Sequence, residues 1–507
     1  MKTQKLIYIL LATLILSSCG NFLNINTNPN APSTTVPDPV LSGALVATAF
    51  AHTNDAPSFS AYWAGYWAAS GTYSLAGNVT QNFRLLNTSY QGIWTDLYLN
   101  AENYMFVESA TRHTPSLAYY VAISKIMRVY DFHTLVDCYG NVPYTKSLQG
   151  FKNLTPSYDV DQTIYNNLLG QLDSAVLIIK TAQGTGNAKP MPATTDVMFG
   201  GNMNNWIALA NTMRLRLLLR QSAVSAQASF ITSEIAKLVA DGAQFLTADA
   251  TINPGYQKSA GLQNPLWEAN GLGVGGDVGN RDFNRTSAYS LSFFQTNNDP
   301  RVDYFFRSPG DAPGVDSKSK PYFSIPWGTP PTTAYVTANT SGMGIGVLAG
   351  PNAPVTFLSA AESYFLQAEA AFRGWLNAGS QQTLYQQGIT ASFTSLGVPN
   401  AAAAASTYYT SGKVNVDWSA STDKLQAIIV QKWAANTSIN PMESWCDYRR
   451  TGFPNNLPTS LDPNKLITSV VVPIRLLYPQ TELNVNASNV PSLPNNAQFT
   501  SKIFWQP

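Results

Sequence analysis

The chain has 507 residues, of which only 12% are charged, and its net charge is +1 at pH 7. Without a basic excess to neutralise phosphates, nucleic acid is excluded as a partner. Aromatic residues also make up 12%, whereas disordered chains are aromatic-poor and highly charged, so disorder is excluded as well.

The first element in chain order is an export signal. Lys2 and Lys5 flank the start of an apolar run of 11 residues, Leu6 to Leu16. That length suits a signal-peptide core and falls short of the about 20 residues needed to span a bilayer. Leu16-Ser17-Ser18-Cys19 resembles a bacterial lipobox, in which the cysteine sulfur takes a diacylglyceryl group and the new amino terminus is acylated. Residues 1–18 are therefore expected to be removed and Cys19 lipidated, for example with palmitate. An ordinary secretory signal containing a cysteine is the alternative. Two or more acyl chains anchor a protein stably where one does not.

The periodicity that follows is helical. Tyr90, Ile93, Trp94, Leu97, Tyr98, Ala101, Tyr104 and Met105 fall at spacings of three and four, as do Tyr120, Ile123, Met127 and Tyr130. A third stripe runs Tyr165, Leu168, Leu169, Leu172, Ala175, Val176 and Ile179, and a fourth Trp206, Leu209, Ala210, Met213 and Leu217. Later come Phe357, Ala360, Ala361, Tyr364, Phe365, Ala368 and Trp375, then Tyr385, Ile389, Phe393 and Leu396, with shorter helices over 423–435 and 441–450. A pair of amphipathic helices cannot bury its stripes alone, so such pairs stack. Between about 242 and 356 the period stops. That window holds 15 of the 34 glycines, and a loop region of this length inside a compact domain is usually functional.

Motifs for enzymatic chemistry are weak. Gly271-x-Gly273-x-x-Gly276 matches a dinucleotide fingerprint in form, but neither a buried strand before it nor a helix after it is evident, so no cofactor is expected. His52, His113 and His133 show no zinc-site spacing, and no metal is expected. Cys138 and Cys446 lie in apolar helical settings. An exported compartment permits a bridge between them, and two buried thiols is the plainer reading. Arg214, Arg216 and Arg220 cannot share one helix face, which predicts pairing with carboxylates such as Glu362 or Glu369.

Aromatics among Asn, Gly and Arg are the better site candidates. "SAYWAGYWAASGTYSLAGN" sets Trp63, Tyr66 and Trp67 at i, i+3, i+4 spacing, with Trp63 read as core and the helix ending near Ser70-Gly71. Trp67, Tyr73, Trp267 and Trp327 are the candidate binding aromatics, since aromatic faces accept the C–H faces of sugars and flat peptide units. Asn78, Asn270 and Arg281 are the candidate polar partners.

The whole pattern resembles the SusD/RagB family of nutrient-binding lipoproteins, and its second SusD-like group in particular. The resemblance rests on "CGNFLNINTNPNAP", "IMRVYDFHTLVDCYGNVPYTKSLQG", "YDVDQTIYNNLLGQLDSA", "DVMFGGNMNNWIALANTMRLRLLLR", "SAAESYFLQAEAAFRGW", "IIVQKWAANTSINPMESWCDYRRTGFP" and "RLLYPQTELNVNASNV", in that order along nearly the whole mature chain. It implies a mainly α fold of tetratricopeptide-like helix pairs with a long irregular ligand-binding excursion. The scaffold is expected over about 36–241 and 357–507 and the insert over about 242–356, within one domain from residue 19 to 507. It further implies a non-enzymatic lipoprotein of the outer membrane, at the cell surface, that captures glycans or peptides. Its implied partner is a SusC-like TonB-dependent outer-membrane transporter. A glycan hydrolase on a helical scaffold is the alternative function.

Overall fold

The computed structural model describes residues 36–73, 78–276, 283–317, 321–376 and 381–507. Among them, helices of seven or more residues run as α1 (Pro37–Phe50), α2 (Pro57–Trp63), α3 (Gln91–Thr111), α4 (Ala118–Tyr139), α5 (Asp161–Thr185), α6 (Met203–Arg220) and α7 (Ala228–Ala240). They continue as α8 (Ala288–Thr296), α9 (Ala360–Phe372), α10 (Gln381–Ser395), α11 (Ala401–Tyr409), α12 (Lys424–Ala435) and α13 (Pro441–Thr451). The strands are short: β1 (Trp67–Ala69), β2 (Ala250–Ile252), β3 (Asn284–Thr286), β4 (Phe306–Arg307), β5 (Gly342–Met343) and β6 (Val355–Leu358). The fold is thus mainly α, built from tetratricopeptide-like helix pairs with a long irregular excursion between them.

Each expected stripe faces the core. All seven named residues of α5, from Tyr165 to Ile179, are buried, and so are the five of α6. Helix ends carry the signals their sequences supply. Asn202 Oδ1 accepts from Asn204 N at 3.1 Å to start α6. Ser359 Oγ accepts from Glu362 N at 3.1 Å to start α9. Asn440 caps α13, which has Pro441 in its first turn and stops at Gly452 with φ of 75°.

Packing proceeds pairwise. Helix α3 lies on α4, α4 on α5 and α5 on α6; in the C-terminal half α10 lies on α9 and on α11, and α9 on α12. The halves meet where α6 packs on α9, and that seam is ionic. Arg216 reaches Glu362 at 2.6 Å, and Arg220 reaches Glu443 at 2.7 Å and Asp137 at 3.4 Å. Lys432 pairs with Asp447 at 3.0 Å, and Arg450 with Glu369 at 2.6 Å and Asp447 at 2.9 Å. Every one of these side chains is buried. The expected partners of the α6 arginines are therefore right for Arg216 only. Arg216 and Arg220, four residues apart, share a face toward Glu443, while Arg214 lies on another and pairs with Asp173 of α5 at 2.5 Å. Cys138 and Cys446 are free and buried.

Two stretches differ from the periodic reading. Helix α2 ends at Trp63, not near Ser70, because Gly65 takes φ of 80° and a Cβ there would sit 2.8 Å from both Leu457 and Tyr289. Trp67 consequently lies on β1, which pairs antiparallel with β3 in the register Trp67↔Thr286, Ala68↔Arg285, Ala69↔Asn284. Phe357 likewise lies on β6, paired with β2, and the helix begins only after Ser359. Sheets β1–β3, β2–β6 and β4–β5 each have two strands; β1–β3 ties the excursion to the segment after α2, β2–β6 joins its two ends, and β4–β5 lies within it. Among the described residues no helix is long and apolar enough to cross a membrane.

Candidate functional site

Strands β1 and β3 bring two distant segments together beside α2, and a pocket of about 240 Å³ opens there. A π-helical turn, Ala51–Asp55, joins α1 to the residues before α2 and supplies Thr53 and Asn54 to the lining. Such turns are rare and recur at functional sites. Tyr62 and Trp67 form one side, with rings edge-to-face at 5.9 Å. Asn270 comes from the short helix Pro265–Asn270, Phe283 from the approach to β3 and Asn284 from its first position.

A chain of amides fixes the floor. The Tyr62 hydroxyl donates to Asn284 Oδ1. Asn284 Nδ2 donates to Asn270 Oδ1 at 2.8 Å, and Asn270 Nδ2 to the Leu266 carbonyl at 3.3 Å. Burial pushes the Tyr62 phenol well above its ordinary range, so it stays a neutral donor. Among the described residues no lining residue is charged. Just outside, burial and then the hydrogen bond and charge of Asp96 push the Asp55 carboxyl up to about 8. A carboxyl in that state is largely protonated at neutral pH.

The candidate residues of the sequence fall as follows. Trp67 and Asn270 line this pocket. Tyr73, 39% exposed, packs its ring on Phe283 at 5.8 Å, at the pocket's edge. Asn78 caps the single turn Val79–Asn82, its Oδ1 accepting from Thr80 N at 3.0 Å, and Thr80 lines the pocket. Trp267 supports the Asn270 segment from behind. Its indole Nε1 donates to the Leu272 carbonyl at 2.9 Å, and its ring lies 2.5 Å from where a Gly271 Cβ would be. That contact explains Gly271 of the glycine triplet, which follows a helix and not a strand. Trp67, Trp267 and Trp327 are 4%, 7% and 3% exposed, so in this conformation they are walls, and Tyr73 carries the open ring. Arg281 and Cys19 lie outside the described residues.

Trp327 stands apart from this group. It lines a larger cleft of about 660 Å³ with Tyr289, Phe293 and Trp433. The two clefts share no lining residue. Tyr62 stood in the aromatic cluster of the sequence without being chosen as a candidate, and Phe283, Tyr289 and Phe293 escaped the sequence reading. Phe283, Tyr289 and Phe293 sit in the glycine-rich window or in α8, whose nine residues carry aromatics on several faces and so show no stripe. For Tyr62 the neighbouring tryptophans held the signal.

One group of potential metal ligands occurs among the described residues: His133, Asp137 and Glu443, with ligand atoms within 4.8 Å of one another. Arg220 already lies against both carboxylates. Burial alone would raise Glu443, but Arg216, Arg220 and Lys432 outweigh it and hold the carboxyl down at about 2. A dication would have to displace that arrangement, so the group reads as framework.

Comparison with known proteins gives a consistent answer. A SusD-like family model of the second group, described as starch-binding and associating with the outer membrane, matches residues 29–479. None of the curated proteins matches the chain. Among solved structures, a chitin-binding protein is 23% identical with a TM-score of 0.73, over 93% of this chain and 100% of its own. A SusD-like protein from Bacteroides thetaiotaomicron is 24% identical, with a TM-score of 0.72 over 92% of this chain and 98% of its own. A chitin-binding SusD homologue from Flavobacterium johnsoniae is 25% identical, with a TM-score of 0.71 over 92% and 98%.

Proposed function

The chain belongs to the SusD-like family, second group, a starch-binding family associated with the outer membrane, and from that premise we propose that it is a non-enzymatic glycan-binding lipoprotein. The observation that carries this reading is the chemistry of the pocket between β1, β3 and α2. It offers aromatic walls, amides and hydroxyls and, among the described residues, not one charged side chain. Sugar C–H faces pack on aromatic rings, and sugar hydroxyls exchange hydrogen bonds with amides. A charged ligand would lose its hydration there with no counter-charge in return. Glycoside hydrolysis takes two carboxyl groups roughly 5–9.5 Å apart across the scissile bond. Among the described residues the lining includes no carboxylate, which favours binding over the hydrolase alternative.

The finer reading places the protein at the cell surface, tethered through lipidated Cys19. It captures oligosaccharides, with peptides as a second class, and hands them to a SusC-like TonB-dependent transporter. The lipobox ending at Cys19 and the family's association with the outer membrane support this reading. Starch and chitin are the natural probes, since the family is described by the first and two neighbouring structures by the second.

Native gels containing soluble starch or glycol chitin test the binding. Retarded migration without release of reducing ends is expected. Release of reducing ends would make the protein a hydrolase, and unretarded migration in every neutral polysaccharide would remove the glycan reading. Mild detergent extraction should recover a barrel protein with the lipoprotein. An amino-terminal peptide that is acylated and begins at Cys19 is the expected mass-spectrometric result.

A further inference from the structure

The larger cleft, where Trp327 lies, is built separately. Helix α8 forms one wall, through Tyr289 and Phe293. Helix α12 forms another, through Gln426, Val430 and Trp433. The turns at 414–415 and 454–461 close it. Its volume of about 660 Å³ falls in the roughly 300–1,000 Å³ range of ligand pockets. The half-buried rings of Tyr289 and Phe293 stand edge-to-face on Trp433 at 5.4 and 5.2 Å. That packing fixes their orientation before any ligand arrives.

The polar groups are oriented too. The Tyr289 hydroxyl donates to Asn456 Oδ1 at 2.7 Å. Gln426 Nε2 donates to Asn455 Oδ1 at 3.4 Å. Both asparagines are exposed, and with their oxygens engaged, their amide nitrogens have no partner among the described residues. The Asn415 side chain has none either. At the buried end, the Trp327 indole Nε1 is a donor without an acceptor. Unengaged amide and indole donors therefore line an aromatic cleft that, like the first pocket, has no charged lining residue among the described residues.

We propose that this cleft is a second carbohydrate site, taking a neutral pyranose unit whose hydroxyl or acetamido oxygens accept from Asn415, Asn455 and Asn456 while its ring lies along Tyr289 and Phe293. A lipid would leave those amides unpaired. An anionic sugar would find no cation. A peptide recognised by strand addition needs an open strand edge, and this lining is helix and proline-rich turn. Asn284 of the first pocket and Ser287 of this cleft lie three residues apart on one extended segment, so their side chains take opposite faces of it and the two sites are separate.

The test is calorimetric titration of the full chain in detergent with maltoheptaose and with N-acetylchitohexaose, alongside hydrogen exchange of segments 288–297 and 454–461. At least one of these glycans is expected to protect both segments. The double variant Asn455→Ala/Asn456→Ala should weaken that site at least tenfold and abolish the protection. Val414→Trp, at an exposed rim position, should block the cleft by bulk and guards against a folding defect in the double variant. No protection of these segments by either glycan overturns the inference. So does protection that both variants leave unchanged, or protection by a neutral oligoalanine peptide and not by glycans. The inference is separable from the first site. Binding that Tyr73→Ala removes and the cleft variants spare overturns only the second site. Binding with the opposite sensitivity overturns only the first.

Discussion

The ionic seam between α6, α9, α12 and α13 and the pair of clefts beside it use opposite chemistry. In the seam, Arg216, Arg220, Lys432 and Arg450 are buried against Glu362, Glu369, Glu443 and Asp447 at 2.6–3.7 Å. Among the described residues lining the two clefts, none is charged. The seam thus buries eight charged side chains between helices, while the proposed binding surfaces are neutral over the same residues. Buried ion pairs add little net stability over apolar packing, yet removing one partner leaves a stranded charge. Loss of a single seam residue is therefore costly, whereas no residue of these ion pairs lines either cleft.

The sharpest break of that contrast is Glu443→Gln. It takes a shared carboxylate from Arg216 and Arg220, leaving Arg216 with Glu362 and Arg220 with Asp137, and should cost on the order of 3 kcal/mol, read as a shift in urea midpoint. Glycan affinity of the folded fraction should stay within about twofold. A loss of affinity at unchanged stability would move Glu443 from framework to site.

A smaller effect, with a definite sign, comes from Asp55 beside the first pocket. Its carboxyl is raised in the folded state to about 8, above its unfolded value near 4. The folded protein then holds a proton that the unfolded chain has released, so stability falls as pH rises between about 4 and 8. Asp55→Asn, which mimics the protonated form, should remove that slope and stabilise the protein at pH 8 by on the order of 1–3 kcal/mol. Carboxylates of the seam behave oppositely, since Glu443 is held down at about 2 and its contribution is lost only as pH falls from about 4.5 toward 2. Thermal unfolding measured from pH 3 to 9, wild type against variant, separates the two signs. An unchanged slope in Asp55→Asn would rule out the shared proton.

How much of this was legible in the sequence follows from the same contrast. The α5 and α6 stripes could be read because an apolar face repeats every turn. Partner choice in the seam could not, because Arg216 and Glu362 are joined across 146 positions by a packing angle that no local spacing records. Trp67, after α2, and Asn270, in the excursion, were found as aromatic and amide residues amid turn formers. Their convergence was not visible, since it depends on β1 pairing with β3 across more than two hundred residues. The break at Gly65 hid β1 behind an apparent helical spacing. Nothing in the sequence marked Asn284 as the hydrogen-bond partner of Asn270.

Next in size is the open ring of the first pocket. Tyr73→Ala removes an exposed face supported by Phe283 and should weaken glycan binding by on the order of 1–2 kcal/mol, about 5- to 30-fold. Tyr73→Phe should retain most of the affinity. Stability should hardly change, because the ring is already in solvent. Equal affinity in Tyr73→Ala would place the sugar deeper, against Trp67, or elsewhere.

The smallest effect is at Asn78, where two roles can be pulled apart. Its Oδ1 accepts from Thr80 N at 3.0 Å and caps the single turn Val79–Asn82, while its Nδ2 has no partner among the described residues. As a cap alone, its loss in Asn78→Ala should cost about 0.5–1 kcal/mol of stability, and Asn78→Asp, which keeps the acceptor, should cost nothing. As a ligand contact, its free amide nitrogen is the group that matters, and aspartate replaces it with an oxygen that cannot donate. Asn78→Asp is therefore the decisive variant: unchanged unfolding with glycan affinity reduced about threefold or more assigns Asn78 to the binding surface. Unchanged unfolding with unchanged affinity returns it to the framework, as a cap that shapes the turn beneath Tyr90 and Thr80 and takes no part in binding.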